Sequence, residues 1–289
     1  MPSVSEALGI WIEDLFADQA GLRVKARDCL YAAHSPFQRI AVFDTQAFGK
    51  VLCLGGTIAL TELDEPTYSE HLVHPALAVH PAPKRVLVIG GGDGGVAREC
   101  LRHAIVERVT VVEIDLQVVE ISERFFPGCA SALKDPRCEL VIDDAHRWLK
   151  GSIDRFDVII VDASEFANSA GDAFHGVSFA DAVLARLNPG GILVAPLGSP
   201  VFEADACRDS LRTLATRFPH PHPYLMSLPS FPGGQWAVAW CSATLSPDAP
   251  LRSGLPKDFK AWSPALQPAL FTLPGLAARA LQSGLPHTI

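Results

Sequence analysis

The chain has 289 residues, enough for one large α/β domain with or without a smaller unit beside it. Its 48% apolar and 19% charged composition, free of low-complexity tracts, excludes a disordered or fibrous protein. A formal net charge of −8 with no lysine or arginine cluster excludes a nucleic-acid surface and suits a cationic small substrate.

The opening stretch, MPSVSEALGIWIEDLFADQAG, has neither a basic n-region nor a continuous apolar h-region, and no apolar run is long enough to span a bilayer. The protein is therefore expected in the cytoplasm, without a membrane partner. The seven cysteines are scattered and form no C-x-x-C pair, as reduced and mostly buried thiols would.

From about residue 22 to residue 62 the pattern is short and strand-like: LRVKA, QRIAVFDT, KVLCLGG and TIALTE, divided by polar or glycine-containing turns. This predicts a small antiparallel N-terminal β domain over 1–65. A helix is predicted in DEPTYSEHLVHPALAVHP, ending at PAPK. The apolar, β-branched strands RVLVIG, RVTVVEID, CELVID, FDVIIVDAS and GGILVAPL then alternate with helix-length segments. That rhythm predicts an α/β, Rossmann-like, methyltransferase-type domain with a mostly parallel sheet over 66–289. WAVAWCSA reads as a late strand, and beyond Ser242 a proline-rich tail is expected to wrap the surface with one short helix, LPGLAARALQ.

RVLVIG runs into Gly90-Gly91-Gly92-Asp93-Gly94-Gly95 and then into the helix-forming VARECLRH. Glycines such as Gly90 and Gly92 let the backbone approach a nucleotide at a helix N-terminus. Glu113 ends the next strand, where its carboxylate can accept both ribose hydroxyls of either a nicotinamide cofactor or an adenosylmethionine-type nucleoside. Asp93 separates the two. Inside the glycine turn it would repel a pyrophosphate and attract the ammonium of a sulfonium nucleoside. Asp144, with Ala145 beside it, can meet the adenine amino group, although Asp144 can equally cap AHRWLK; Asp143 is the preferred cap of the two. Asp162 ends the strand FDVIIVD at the carboxyl edge of the sheet with Glu165 three residues on, and FANSAGDAFHG is a loop that could close over a substrate.

Three features receive no chemical role. His71 and His74 share a helix face without partners for a metal, which favours helix packing or surface exposure. His220 and His222 fall in a proline-rich turn, and Trp236 and Trp240 are read as core.

Taken together, SPFQRIAVFDTQAFGKVLCLGGTIALTELDEPTYSEH, RVLVIGGGDGGVARE, VVEID, VIIVDASE, SLPSFPGGQWAVAWCS and AWSPALQPALFTLP resemble the spermidine synthases, or polyamine aminopropyltransferases, almost from end to end. The resemblance implies decarboxylated S-adenosylmethionine as aminopropyl donor and co-substrate. It also implies a small-molecule amine as acceptor, a homodimer or homotetramer, no metal and no prosthetic group. By the same resemblance Gln38, Asp93, Glu113 and Asp144 hold the donor, Asp162 positions and deprotonates the attacking amine, and Tyr68 serves the acceptor site. The chemistry fits: an amine of pKa ~10.4 lies about 3 pK units, roughly 4 kcal/mol, from its neutral form at physiological pH, and a carboxylate can take that proton.

Departures from the family pattern gather on the acceptor side. Ser69 stands for Gln or His, Glu165 for a second Asp, Phe231 for a tyrosine, Pro196 for a Gln and Gly171 for a loop Glu. They imply an acceptor other than putrescine, larger or less symmetric. The alternatives are an S-adenosylmethionine-dependent methyl- or aminocarboxypropyltransferase, which Asp93 disfavours by repelling the intact donor's carboxylate, and a non-catalytic polyamine- or nucleoside-binding homologue.

Overall fold

A computed structural model describes residues 9–16, 20–163 and 176–282. Two sheets build it. The N-terminal sheet is an antiparallel meander in sequence order: β1 (Trp11–Phe16), β2 (Ala20–His34), β3 (Arg39–Thr45), β4 (Gly49–Leu54) and β5 (Thr57–Thr61). β1 was not anticipated. Its inward positions are Ile12 and Asp14, so a buried acid interrupts the apolar alternation; Asp14 Oδ2 accepts the Ile58 N–H at 2.8 Å, which satisfies it there. β2 is also far longer than LRVKA, because its second half pairs with β3 while exposing most of its side chains.

Helix α1 (Glu65–Leu77) leads into the second sheet: β6 (Arg85–Gly90), α2 (Gly95–Leu101), β7 (Arg108–Glu113), α3 (Leu116–Phe125), the short α4 (Pro127–Ala130), β8 (Cys138–Ile142), α5 (Ala145–Gly151) and β9 (Phe156–Asp162). After the undescribed 164–175 come α6 (Val177–Arg186), β10 (Leu187–Gly198), α7 (Ala204–Ala215), β11 (His222–Ser227), β12 (Gln235–Ser242), α8 (Gln267–Leu270) and α9 (Gly275–Gln282). The sheet order is β11-β12-β10-β9-β6-β7-β8, with β12 antiparallel to both its neighbours and every other pair parallel. Strand order therefore reverses between β6 and β9, the crevice where open α/β sheets take ligands.

Alternation along β6 shows why its strands read as unbroken apolar runs. Val86 and Val88 face a core shared with α1 and α2, while Leu87 and Ile89 face one shared with α5, α6 and α7. Helix α3 does a different job. Val118 and Ile121 pack on Ile40, Val42, Leu52 and Leu60, joining the two sheets through one apolar cluster.

Pro75 inside α1 cannot donate to the His71 carbonyl one turn back. The buried Tyr224 hydroxyl donates to that carbonyl instead at 2.6 Å, tying the helix to β11. His222 opens β11 and does not belong to a turn; Pro223 is tolerated because β11 is an edge strand. His71 and His74 are both buried, which decides for packing over exposure. His74 Nε2 lies 3.1 Å from Glu99 and Nδ1 2.9 Å from His103 Nε2. Glu70, His74 and Glu99 are close enough to hold an ion, yet arginines already claim Glu99 and backbone amides claim Glu70.

The tail does wrap the domain, and α8 joins the expected α9. Buried Glu70 anchors it by accepting the N–H groups of Lys260, Ala261 and Trp262 at 2.8–3.1 Å. Glu70→Ala would strand those donors, and a loss of about 2–3 kcal/mol is expected in urea unfolding. A loss under about 0.5 kcal/mol would show that the tail does not depend on this carboxylate.

Candidate active site

One pocket opens at the switch between β6 and β9, lined by nine carboxylates and, among the described residues, by no lysine, arginine or histidine. Each carboxylate has a different duty. Gly90 lies beside Asp162 in the β6–β9 register, with φ +82°; a Cβ there would sit 2.2 Å from the Asp162 carbonyl oxygen, so only glycine permits the approach. Glu113 reaches back from β7 under the turn. It accepts the Gly92 N–H at 3.0 Å and the Asp115 N–H at 2.8 Å, and burial pushes its carboxyl up to about 7. Gly92 has no Cβ because Glu113 passes 2.8 Å from where one would be.

Asp93 accepts the Gly95 N–H at 2.7 Å, while burial and then the neighbouring Glu65 raise its carboxyl to about 6. Gln38 comes from the N-terminal sheet, and its Nε2 donates to Asp115 Oδ2 at 3.3 Å. Ser35 Oγ donates to the same oxygen at 2.6 Å, and Asp115 also caps α3, so one carboxylate pins the β2–β3 turn to the second sheet.

Asp144, not Asp143, caps α5. Its side chain accepts the Arg147 N–H at 2.8 Å, whereas Asp143 Oδ1 accepts the Asp144 N–H at 2.7 Å and pairs with the Arg147 guanidinium. The chain is extended at Asp144 (φ −69°, ψ 122°), the geometry a cap requires, and Asp143 stands one residue too early. Ala145 is buried at the first position of that helix, beside the pocket.

Asp162 ends β9 with Oδ2 enclosed and, among the described residues, without a hydrogen-bond partner. Burial, and then Asp93, hold its carboxyl well above the usual range; the Tyr68 hydroxyl pulls the other way. Tyr68 projects from α1 with its ring 6.0 Å from Phe231. Asp64 fixes that pairing, accepting the Ser230 N–H and hydroxyl, both at 2.9 Å, together with Thr61 Oγ1 at 2.6 Å. Ser69 lines the pocket but is almost wholly buried, and its hydroxyl donates to Glu65 Oε1 at 2.6 Å. Arg98 grips Glu65 with two nitrogens, so this acid is neutralised from behind. Glu165 and Gly171, with the loop carrying them, lie outside the described residues.

Several lining residues escaped the sequence reading. Asp14 and Phe16 come from the unanticipated β1, and Glu203 from the turn before α7. Trp236 is only partly buried: it packs on the edge of the core yet also lines the pocket and meets Phe231 edge-on at 4.9 Å, while Trp240 is fully buried as expected. Pro196 also lines this end.

Two family models match the chain: the spermine/spermidine synthase domain over residues 65–249 and the spermidine synthase tetramerisation domain over 10–62. The polyamine aminopropyltransferase of Caldicellulosiruptor saccharolyticus is 34% identical over 94% of this chain and 98% of its own; that of Leptospira biflexa is 36% identical over 93% and 96%. Among solved structures, spermidine synthase from Thermotoga maritima superposes with a TM-score of 0.89 at 29% identity, covering 95% of this chain and 94% of that one. A spermidine synthase in complex with the transition-state analogue AdoDATO gives 0.90 at 29% identity, covering 95% of each.

Proposed function

Since the chain belongs to the spermine/spermidine synthase family, we propose that its acidic pocket divides into a donor half on β6, β7 and β8 and an acceptor half on β9, β10 and β12. The protein is a polyamine aminopropyltransferase. It moves the aminopropyl group of its co-substrate, decarboxylated S-adenosylmethionine, onto an acceptor amine and releases methylthioadenosine. Residues 1–65 form its N-terminal β domain and 66–289 its catalytic domain in this reading. The match to a tetramerisation domain makes it an oligomer, which we take to be a homodimer or homotetramer working in the cytoplasm. No helix among the described residues is long and apolar enough to cross a membrane.

The observation that carries the division of labour is a pocket whose charged lining, among the described residues, is wholly acidic, at a strand-order switch, for two cationic substrates. In the donor half Glu113 takes the ribose hydroxyls, Asp144 and Ala145 the adenine, and Gln38 closes over the nucleoside. Gly90 and Gly92 bring the backbone close, and Asp93 meets the aminopropyl ammonium. In the acceptor half the amine approaches between Tyr68 and Asp162, with Ser69, Glu165 and Phe231 shaping the space. Asp162 takes the proton that the ammonium must lose; the neutral nitrogen attacks the propyl carbon and the sulfonium leaves as methylthioadenosine. No acid is needed on the leaving side.

Phe231 offers no hydroxyl and Pro196 no amide, which supports an acceptor other than putrescine. The test is methylthioadenosine release with putrescine, cadaverine, agmatine and spermidine. Faster turnover of one of the last three is expected, and a clear putrescine preference would sink the idea.

A further inference from the structure

The sheet order places β10 and β12 on the far side of Asp162 from the donor strands. There the pocket is walled by aromatic rings. Phe16 of the N-terminal sheet stacks on Phe202 at 5.3 Å and lies 6.5 Å from Trp236, which in turn meets Phe231. Two further carboxylates reach this recess, Asp14 and Glu203, and no cationic side chain among the described residues does.

The recess is built around Glu203. Gly198 ends β10 with φ +106°, and a Cβ there would stand 2.7 Å from Glu203 Oε2. The carboxylate thus fills space that any larger residue at 198 would occupy. The Ser199 N–H orients it, donating to the same oxygen at 3.0 Å. Val194 pairs with Ile160 two residues before Asp162, so the end of β10 that carries Pro196 and Gly198 runs out at the same sheet edge as Asp162, and both residues line the pocket with it. Asp14 is the poorer candidate: it is buried on the inner face of β1, and that burial raises its carboxyl, which disfavours the charge.

We propose that Glu203 is the specificity-determining carboxylate of the acceptor half, binding the acceptor's far ammonium while the aromatic walls hold its methylene chain. The inference rests on the transfer reading above and narrows the acceptor to amines with a second cationic end.

The test is E203Q in steady-state kinetics at saturating decarboxylated S-adenosylmethionine, comparing cadaverine with butylamine, which has no far ammonium. KM for cadaverine is expected to rise about 10- to 100-fold with little change in kcat, the loss of one charge-assisted contact. Butylamine kinetics and donor KM should stay as in the wild type. An equal change for both amines would reveal a merely structural residue, and no change for cadaverine would overturn the proposal outright. E203D guards against misfolding of the first variant: with its charge set back by one methylene, it should shift the preference toward longer diamines. An unchanged chain-length profile would likewise overturn the proposal. Wild-type enzyme that released no methylthioadenosine with any amine would instead bring down the transfer reading, and the role of Glu203 with it.

Discussion

Asp162→Asn is expected to slow aminopropyl transfer by about 10³-fold, within the range ascribed to a positioned general base, while donor affinity changes little. Asparagine is nearly isosteric, so the packing around Gly90 and Tyr68 should survive, and only the capacity to accept the ammonium proton is lost. Among the described residues the buried Oδ2 has no hydrogen-bond partner competing for that proton. The pH profile supplies a second reading. Burial and Asp93 favour the protonated form of Asp162 in the empty enzyme, and the carboxylate is the form that works. Wild-type kcat/KM should therefore climb with pH as Asp162 deprotonates, and that acidic limb should vanish in the asparagine variant. A loss below about tenfold, or an unchanged acidic limb, would remove Asp162 from the proton's path.

Asp93→Asn should weaken the donor and relax its selection. Losing a charge-assisted contact to the aminopropyl ammonium is expected to raise the Kd for decarboxylated S-adenosylmethionine about 10- to 100-fold. The intact donor, whose carboxylate Asp93 repels, should lose less or even gain. Isothermal titration with both donors reads this directly, and a variant retaining the wild-type preference would refute the role.

Proton linkage adds a sign. Burial raises the folded carboxyl from 3.8 to about 6, so the unliganded protein binds more protons than the unfolded chain between those values. Its stability accordingly falls as pH rises through that window. The donor's ammonium favours the carboxylate, so binding near pH 6 should release protons. Titrations in buffers of different ionisation enthalpy should show a smaller release from the variant; Glu113, raised to about 7, remains a separate contributor.

The donor half was legible in the sequence because each part is local. A strand, a turn and a helix N-terminus sit within a dozen residues, and parallel-strand geometry carries Gly90, Glu113, Asp144 and Asp162 to one edge. Their place at that edge followed from residue type and strand end, while their roles came from the resemblance to the family. Small local errors followed from competition between neighbours: Asp143 and Asp144 are chemically equivalent caps, and only backbone dihedrals distinguish them.

The acceptor half was legible only in part: Tyr68, Asp162, Pro196 and Phe231 line the pocket as expected, but its further walls were missed. Trp236 and Trp240 both read as core in a strand, yet one faces the pocket and the other is buried. Ser69, which stands for a Gln or His of the family, is almost wholly buried with its hydroxyl bound to Glu65 one turn back, and the sequence does not show that this acid faces inward.

By itself the sequence determined the α/β architecture, the nucleoside turn, the acids at the strand ends and the family. Tertiary structure alone decided that β1 brings Asp14 and Phe16 to a pocket whose other wall is Phe231 and Trp236, and that Gly198 makes room for Glu203. The reason is physical. Periodicity and turn chemistry act between near neighbours, whereas this recess joins segments more than 180 residues apart, whose meeting depends on how α3 and the apolar cluster beneath it seat one sheet on the other.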